Sequence, residues 1–279
     1  MNRNHELRCQ SPSPDLREFV RTYAQRDMTN LSGAFSAPCP ARLEQTLEFQ
    51  FADRFDVLTA SGRREFARSI TVVGSCTEAA TLFLKQHVVS FGIFFQPLGL
   101  SRLFRIAPSE FTNRSFDGCD VLPPVIRTLY EQLAECDSFG LRVEMVETFL
   151  RHFARWITSP DREIGRNAAA RIFEANGAVR MTDLAAGYGI SLRQLERRIR
   201  SAVGIAPKMF ARIARFQTAL DAKLLAPNRS WMSIAHALEY HDQMHMIHDF
   251  RQLAGAAPAE LLAHIGDARP PAMPNFCEF

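Results

Sequence analysis

No stretch of this 279-residue chain approaches the ~20 consecutive apolar residues that a membrane-crossing helix needs, so no membrane partner is expected. The opening residues Met1-Asn2-Arg3-Asn4-His5-Glu6 lead into polar sequence without an apolar signal core, and a cytoplasmic location is expected. The six cysteines (Cys9, Cys39, Cys76, Cys119, Cys136 and Cys277) contain no C-x-x-C pair. That scatter argues for reduced, packed thiols rather than a disulfide framework or a zinc site. G-x-S-x-G, P-loop and G-x-G-x-x-G motifs are missing too, and no Ser or Cys has a base partner in view. The chain is therefore expected not to be an enzyme and to need no cofactor. A cupin-like metal site would need clustered His and Glu, whereas residues 1–157 hold only His5, His87 and His152, far apart. His87 is expected to be a satisfied histidine in a strand.

The net charge of +3 is unevenly placed. Residues 1–157 are balanced, so the whole excess lies after them. Between 193 and 215 come Arg193, Arg197, Arg198, Arg200, Lys208, Arg212 and Arg215 against Glu196 alone. A basic cluster of this density is the footprint of a phosphate-binding face, although a solvated helix surface produces one as well.

Residues 1–40 read as irregular, with Ser11-Pro12-Ser13-Pro14 and Pro38-Cys39-Pro40 as breakers. From 43 to 97 the period is two. Leu47, Phe49 and Phe51 alternate with Thr46, Glu48 and Gln50; Val89, Phe91, Ile93 and Phe95 do so against Ser90 and Gly92. With Phe55–Ala60 and Ser69–Gly74 these predict several half-buried strands. Phe is concentrated before residue 157, which a packed core explains more simply than a ligand pocket. After Gly99 the spacing turns helical. Leu122, Val125, Ile126, Leu129, Tyr130 and Leu133 form one stripe, and Leu141, Met145, Phe149, Phe153 and Trp156 another. These helices either cap the β-rich region or pair with a second copy. Thr158-Ser159-Pro160-Asp161 reads as a boundary, with Ser159 as N-cap and Pro160 at the first helical position. The end, Arg269-Pro270-Pro271-Ala272-Met273-Pro274, reads as a disordered tail.

A relaxed repeat occupies the C-terminal region. Leu184-Ala185 leads to Leu195-Glu196-Arg197-Arg198-Ile199-Arg200 and then Gly204-Ile205-Ala206-Pro207. Ile234-Ala235 leads likewise to Met246-Ile247-His248-Asp249-Phe250-Arg251 and Gly255-Ala256-Ala257-Pro258, with one extra residue in the turn. Each copy reads as a helix-turn-helix. In the first, Thr182 starts a short helix, Gly189 supplies the positive φ of the turn, and Ser191 with Gln194 forms a capping box. Leu195 and Ile199 face the core, leaving Arg193, Glu196, Arg197 and Arg200 outward. In the second, Ile234, Ala235 and Leu238 are core, Asp242 is the N-cap, and Met246 and Phe250 replace Leu195 and Ile199. Gln243, Met244, His245 and His248 then lie near the reading face. Arginine can bind guanine bidentately, glutamine can pair with adenine, and methionine can touch a thymine methyl. Pro207 opens the intervening helix, whose buried face is Phe210, Ile213, Phe216 and Leu220. About 17 residues make a strut of roughly 26 Å, suited to two major-groove segments about one DNA turn apart. His241, His245 and His248 fall in this DNA-facing segment, with His241 ahead of the helix, so a zinc reading is set aside.

At these residues the chain resembles the AraC/XylS family of bacterial transcription regulators, over about 165–262. The Leu-Ala, Ser-cap, Gly-x-x-Pro order, the longer second turn and the run Tyr240-His241-Asp242-Gln243-x-His245 carry the resemblance. Gly92-Ile93-Phe94-Phe95-Gln96-Pro97-Leu98-Gly99 with Ala107-Pro108-Ser109-Glu110-Phe111 looks like the N-terminal domain of one subset of that family. By this resemblance positions 193, 196, 197, 243, 244 and 248 face DNA. Two departures stand out. Glu239 occupies a turn position usually Gly, costing on the order of 1–2 kcal/mol if left-handed geometry is kept. His248 stands where Arg is common.

The expected fold class is α+β: an N-terminal β-rich domain, cupin-like or sandwich, with C-terminal helices, then an all-α double helix-turn-helix domain. The expected divisions are 1–157 for sensing or dimerisation, 158–266 for DNA binding and 267–279 for the tail. The candidate DNA-binding residues are Ser191, Arg193, Gln194, Glu196, Arg197, Arg200, Gln243, Met244, His245, His248 and Arg251. The expected partners are double-stranded promoter or operator DNA, a small-molecule effector, RNA polymerase and a second copy of the chain. One alternative gives the N-terminal domain protein contacts only; another fuses an enzyme to a DNA-binding domain.

Overall fold

A computed structural model describes residues 4–29, 35–157 and 164–268. The N-terminal region is built on two antiparallel sheets. One has the order β1 (Asn4–Gln10), β2 (Val20–Thr29), β9 (Val88–Phe95), β4 (Thr46–Gln50), β7 (Ile70–Val73) and β10 (Ser115–Asp117). The other has β3 (Phe35–Cys39), β8 (Ala80–Leu84), β5 (Asp56–Thr59) and β6 (Arg64–Phe66). Short helices α1 (Gly99–Phe104), α2 (Pro108–Phe111) and α3 (Gly118–Val121) follow, then α4 (Ile126–Glu135) and α5 (Phe139–Ala154).

Strand alternation sorts the large sheet into two faces. Tyr23, Leu47, Phe49, Ile70, Val72, Phe91, Ile93 and Phe95 form one core with Ile126, Leu129, Leu133, Val143, Val146 and Leu150. Helices α4 and α5 therefore cap the β-rich region. The opposite face, toward the small sheet, was expected to be solvated. Instead Thr46, Glu48 and Gln50 are all buried, and Gln50 Nε2 donates to Glu48 Oε2 at 3.2 Å. A second layer covers this face, so the strands are buried on both sides rather than half-buried. Met28, Val88, Leu82, Leu84 and Phe55 close the space between the sheets.

Several expectations for this region are corrected. The described residues of the 1–40 segment are not irregular: β1, a 3-10 turn at Pro14–Leu16, β2 and β3 lie there. The charged residues of β2 hid its strand pattern, because Arg26 lies in the buried space between the sheets and Arg21 meets the C-terminal region. Pro38 is tolerated because β3 is an edge strand. His87 is not in a strand but in the exposed link between β8 and β9, its backbone N–H donating to Asp53 Oδ2 at 3.2 Å. On α5 the stripe is rotated. Met145, Phe149 and Phe153 pack inward, but Leu141 and Trp156 are exposed and Arg142 is buried. Arg142 donates to Gln25 Oε1 at 2.7 Å and Leu133 O at 2.9 Å while lying over Phe51, which satisfies its charge indoors. The Ser159 cap, Pro160 and the tail beyond 268 lie outside the described residues.

The described C-terminal residues form helices: α6 (Ile164–Glu174), α7 (Met181–Gly187), α8 (Leu192–Val203), α9 (Pro207–Leu225), α10 (Trp231–Ala237), α11 (Gln243–Ala254) and α12 (Pro258–Ala268). No helix of the described residues is long and apolar enough to cross a membrane. The two regions do not keep wholly separate cores. A strap at residues 40–46 places Ala41 and Leu43, fully buried, in the helical core. The Ala41 N–H donates to Leu253 O at 2.7 Å, and the Leu43 N–H to Gln217 Oε1 at 3.2 Å. Gln217 Nε2 in turn donates to Glu44 Oε2 at 2.6 Å. Arg21 bridges Glu44 and, at 3.4 Å, Asp221 Oδ2 of α9.

Two carboxylates thus share one guanidinium at this seam. Burial pushes the Asp221 carboxyl up to about 7 from its ordinary 3.8, against the pull of Arg21. The folded chain then holds a proton that the unfolded chain releases. Asp221 should therefore contribute its full stability below its ordinary value and lose it as pH rises toward about 7. The loss is at most roughly 4 kcal/mol. Asp221→Asn should flatten the decline of Tm between about pH 5 and 7 relative to the wild type. An unchanged slope would show that this carboxyl ionises freely at the seam.

Candidate nucleic-acid interface

The two copies of the repeat fold alike because their caps are alike. Helices α7 and α10 have 7 residues each, and α8 and α11 have 12 each. Helix α7 starts at Met181 with Arg180 as N-cap, one residue ahead of the expected Thr182. Ser191 accepts from the Gln194 N–H and the Gln194 side chain returns to the Ser191 backbone, completing the capping box. Asp242 caps α11 by accepting from the His245 N–H at 2.7 Å. That hydrogen bond, with the neighbouring His241, holds the Asp242 carboxyl below the usual carboxylate range. Both long helices end in a left-handed glycine, Gly204 at φ 75° and Gly255 at φ 74°. In the turns, Gly189 has φ 64° and Glu239 has φ 55°, so the second turn does keep left-handed geometry without glycine.

Packing then decides which faces remain free. Leu195, Ile199, Ile234, Ala235, Met246 and Phe250 are buried in one core with α9. Leu238 packs on its edge, partly buried. On α8 this leaves Arg193, Gln194, Arg197 and Arg200 exposed and Glu196 half-exposed. Ser191 and five α8 residues from that set border a concavity of about 910 Å³, together with Ala206, Pro207 and Lys208. On α11, Met244 is 65 % exposed. His245, His248 and Arg251 are exposed and Gln243 half-exposed. The His245 ring lies edge-on to Tyr240, centroids 5.6 Å apart, which orients it.

Helix α9, 19 residues long, joins the units as a strut of roughly 28 Å. Phe210, Ile213, Phe216 and Leu220 are buried on it, as the periodicity requires. The basic cluster is smaller than the sequence implied. Arg212 and Arg215 turn inward: Arg212 pairs with Asp249, and Arg215 donates to Gly177 O at 2.9 Å. Lys208 was absent from the candidate contacts, although its exposed position in the wall of the concavity places it beside them. Its membership of the basic run, one residue after the helix-opening Pro207, was the available signal.

Residues 184–264 match the family described as a helix-turn-helix domain, and residues 9–117 match a domain of unknown function, DUF6597. No curated protein matches the chain. Among solved structures it is similar to a lysine-to-alanine variant of apo ToxT from Vibrio cholerae strain SCE256. That likeness has a TM-score of 0.55 at 9 % identity and covers 91 % of this chain and 99 % of that one. A further Vibrio cholerae ToxT structure, at 1.65 Å, gives a TM-score of 0.51 at 9 % identity, covering 95 % and 99 %. At this identity the likeness concerns the fold.

Two outcomes follow from the exposed faces. Arg197→Ala should weaken binding to a cognate duplex at least about tenfold, the scale of one bidentate base contact, and His248→Ala should cost less at the same salt. Equal losses in a fixed-salt titration would contradict the ranking. Glu239→Gly should stabilise the chain against denaturant by about 1 kcal/mol through relief of the left-handed turn. A destabilised variant would mean that the exposed Glu239 side chain makes a contact worth more than the strain.

Proposed function

We propose that this chain is an AraC-type transcription regulator that reads double-stranded operator DNA sequence-specifically with α8 and α11, a reading its C-terminal helix-turn-helix match supports. The observation that carries this reading is the pair of equivalent helices, each with its N-terminal face uncovered, held on one strut. The proposed contacts are Ser191, Arg193, Gln194, Glu196, Arg197 and Arg200 in the first unit. In the second they are Gln243, Met244, His245, His248 and Arg251. The first unit holds three of the four proposed arginines and anchors on phosphate and guanine; the second, with Met244, two histidines and Arg251, tunes the choice of bases. The chain acts by binding in the cytoplasm, with RNA polymerase and a second copy as protein partners. Residues 1–157 sense or dimerise and 158–266 bind DNA.

The proposed effector response rests on where the N-terminal region touches the readers. A cleft between the sheets is bordered by Cys76, Glu78, Ala79, Asn113, Arg114 and Ser115, among others. Ala79 lies 3.8 Å from where a side chain on Gly255 would begin, at the end of α11. Thr112, next to Asn113, donates to Gly204 O at 3.3 Å, at the end of α8. Segments bordering one cleft therefore abut the equivalent glycine turns of both units. A small molecule in the cleft would bias their arrangement by population shift. The cleft's volume, about 90 Å³, falls below the roughly 300 Å³ of common ligand sites. That size favours the second reading, in which this region contacts protein only.

Full-length protein mixed with a random duplex pool should enrich a sequence bound at least about 10³-fold more tightly than bulk DNA. Uniform affinity across the pool would refute sequence-specific reading. In a thermal-shift screen against metabolites, the effector reading requires one compound to raise Tm by mass action. A panel without any shift would favour the protein-contact reading.

A further inference from the structure

Asp249 follows His248 on α11 and points away from the reading face, with 1 % exposure. Its Oδ1 accepts from Arg212 Nε at 3.0 Å and Nη2 at 2.6 Å. Arg212 Nη2 also donates to Gln252 Oε1, one turn along α11, at 2.5 Å. The middle of the strut thus grips the second reading helix through a guanidinium. One turn further along the strut, Arg215 donates to Gly177 O, in the turn that follows α6. Its guanidinium lies 5.3 Å from the centre of the Tyr240 ring, and that ring meets His245. Both reading-face histidines therefore adjoin groups that the strut's arginines hold.

The apolar contacts that α11 makes with the strut and with α10 are less directional than hydrogen bonds. Phe216 and Phe250 meet edge-to-face at 4.7 Å, and Trp231 meets Phe250 at 5.3 Å. Ring contacts of this kind tolerate a few degrees of rotation with little loss. A planar guanidinium fork does not, because its hydrogen bonds weaken steeply off axis. Burying an ion pair is a poor route to stability, since an apolar replacement often does as well. Its specific contribution is direction. Successive residues of an α-helix are about 100° apart, so a modest turn of α11 about its axis would carry Met244 and His248 off the bases.

We propose that Arg212 and Asp249 are a positioning pair that fixes the rotation of α11 on the strut, and so determines which bases the second unit reads. This rests on the DNA-reading function proposed above. Neither side chain touches DNA itself in this account. Their effect is confined to the half-site under α11.

The test uses the full chain and the duplex enriched from the random pool, together with a version whose α11 half-site, located by footprinting, has been scrambled. Wild-type protein should prefer the intact duplex by about tenfold or more. Asp249→Asn should bring that ratio close to one while leaving affinity for the scrambled duplex within about twofold of wild type. Arg212→Lys, which keeps the charge but loses the fork, should lower the ratio without lowering Tm, and it decides the matter if Asp249→Asn does not fold. A ratio unchanged in the variants, or an equal loss on both duplexes, would overturn the positioning role. Failure of wild-type protein to enrich any duplex would instead overturn the DNA-reading function.

Discussion

Everything in the C-terminal region depends on one packed helix. The strut α9 buries Phe210, Ile213, Phe216 and Leu220 against both helix-turn-helix units, so neither unit has a complete core without it. A short helix pair of 7 and 12 residues cannot hide its apolar face alone. Shared burial on one rigid rod makes the two units a single object with a set separation. The exposed arginines, histidines and Met244 acquire meaning from that separation, because DNA offers its major groove at a set repeat.

The same rod receives the N-terminal region. Leu43 enters the core beside it, Gln217 satisfies the strap's backbone, and Arg21 joins Glu44 to Asp221. Buried polar groups need partners, and the strap and the strut supply them to each other. A change in the sheets therefore has a physical route to the readers: through the strap at the middle of the strut, and through the turns at Gly204 and Gly255.

How much of this was legible in the sequence differs by region. In the helical half, local chemistry and the fold agree: Ser191, Gln194, Asp242 and the two Gly-x-x-Pro turns do in the structure what their types favour. In the β-rich half the pattern misled. Thr46, Glu48 and Gln50 alternate as a solvated face would, and a second sheet buries them. Charges at Arg21 and Arg26 masked β2; Arg21 finds its carboxylates at Glu44 and Asp221, far along the chain. Arg212 and Arg215 counted toward a basic surface because composition records charge without direction. Their inward pairing depends on Asp249 and Gly177, which only tertiary structure brings near.

The central claim is that two units on one strut read two groove segments from one face of the duplex. It is tested most directly by inserting base pairs between the two protected segments of the enriched duplex and measuring full-chain affinity. An insertion of about five base pairs turns the second segment to the opposite face, about half a helical repeat away. The account predicts a loss of at least about tenfold, with part of the affinity regained when about ten base pairs restore the face. Affinity indifferent to the insertion, with one protected segment in the footprint, would contradict it.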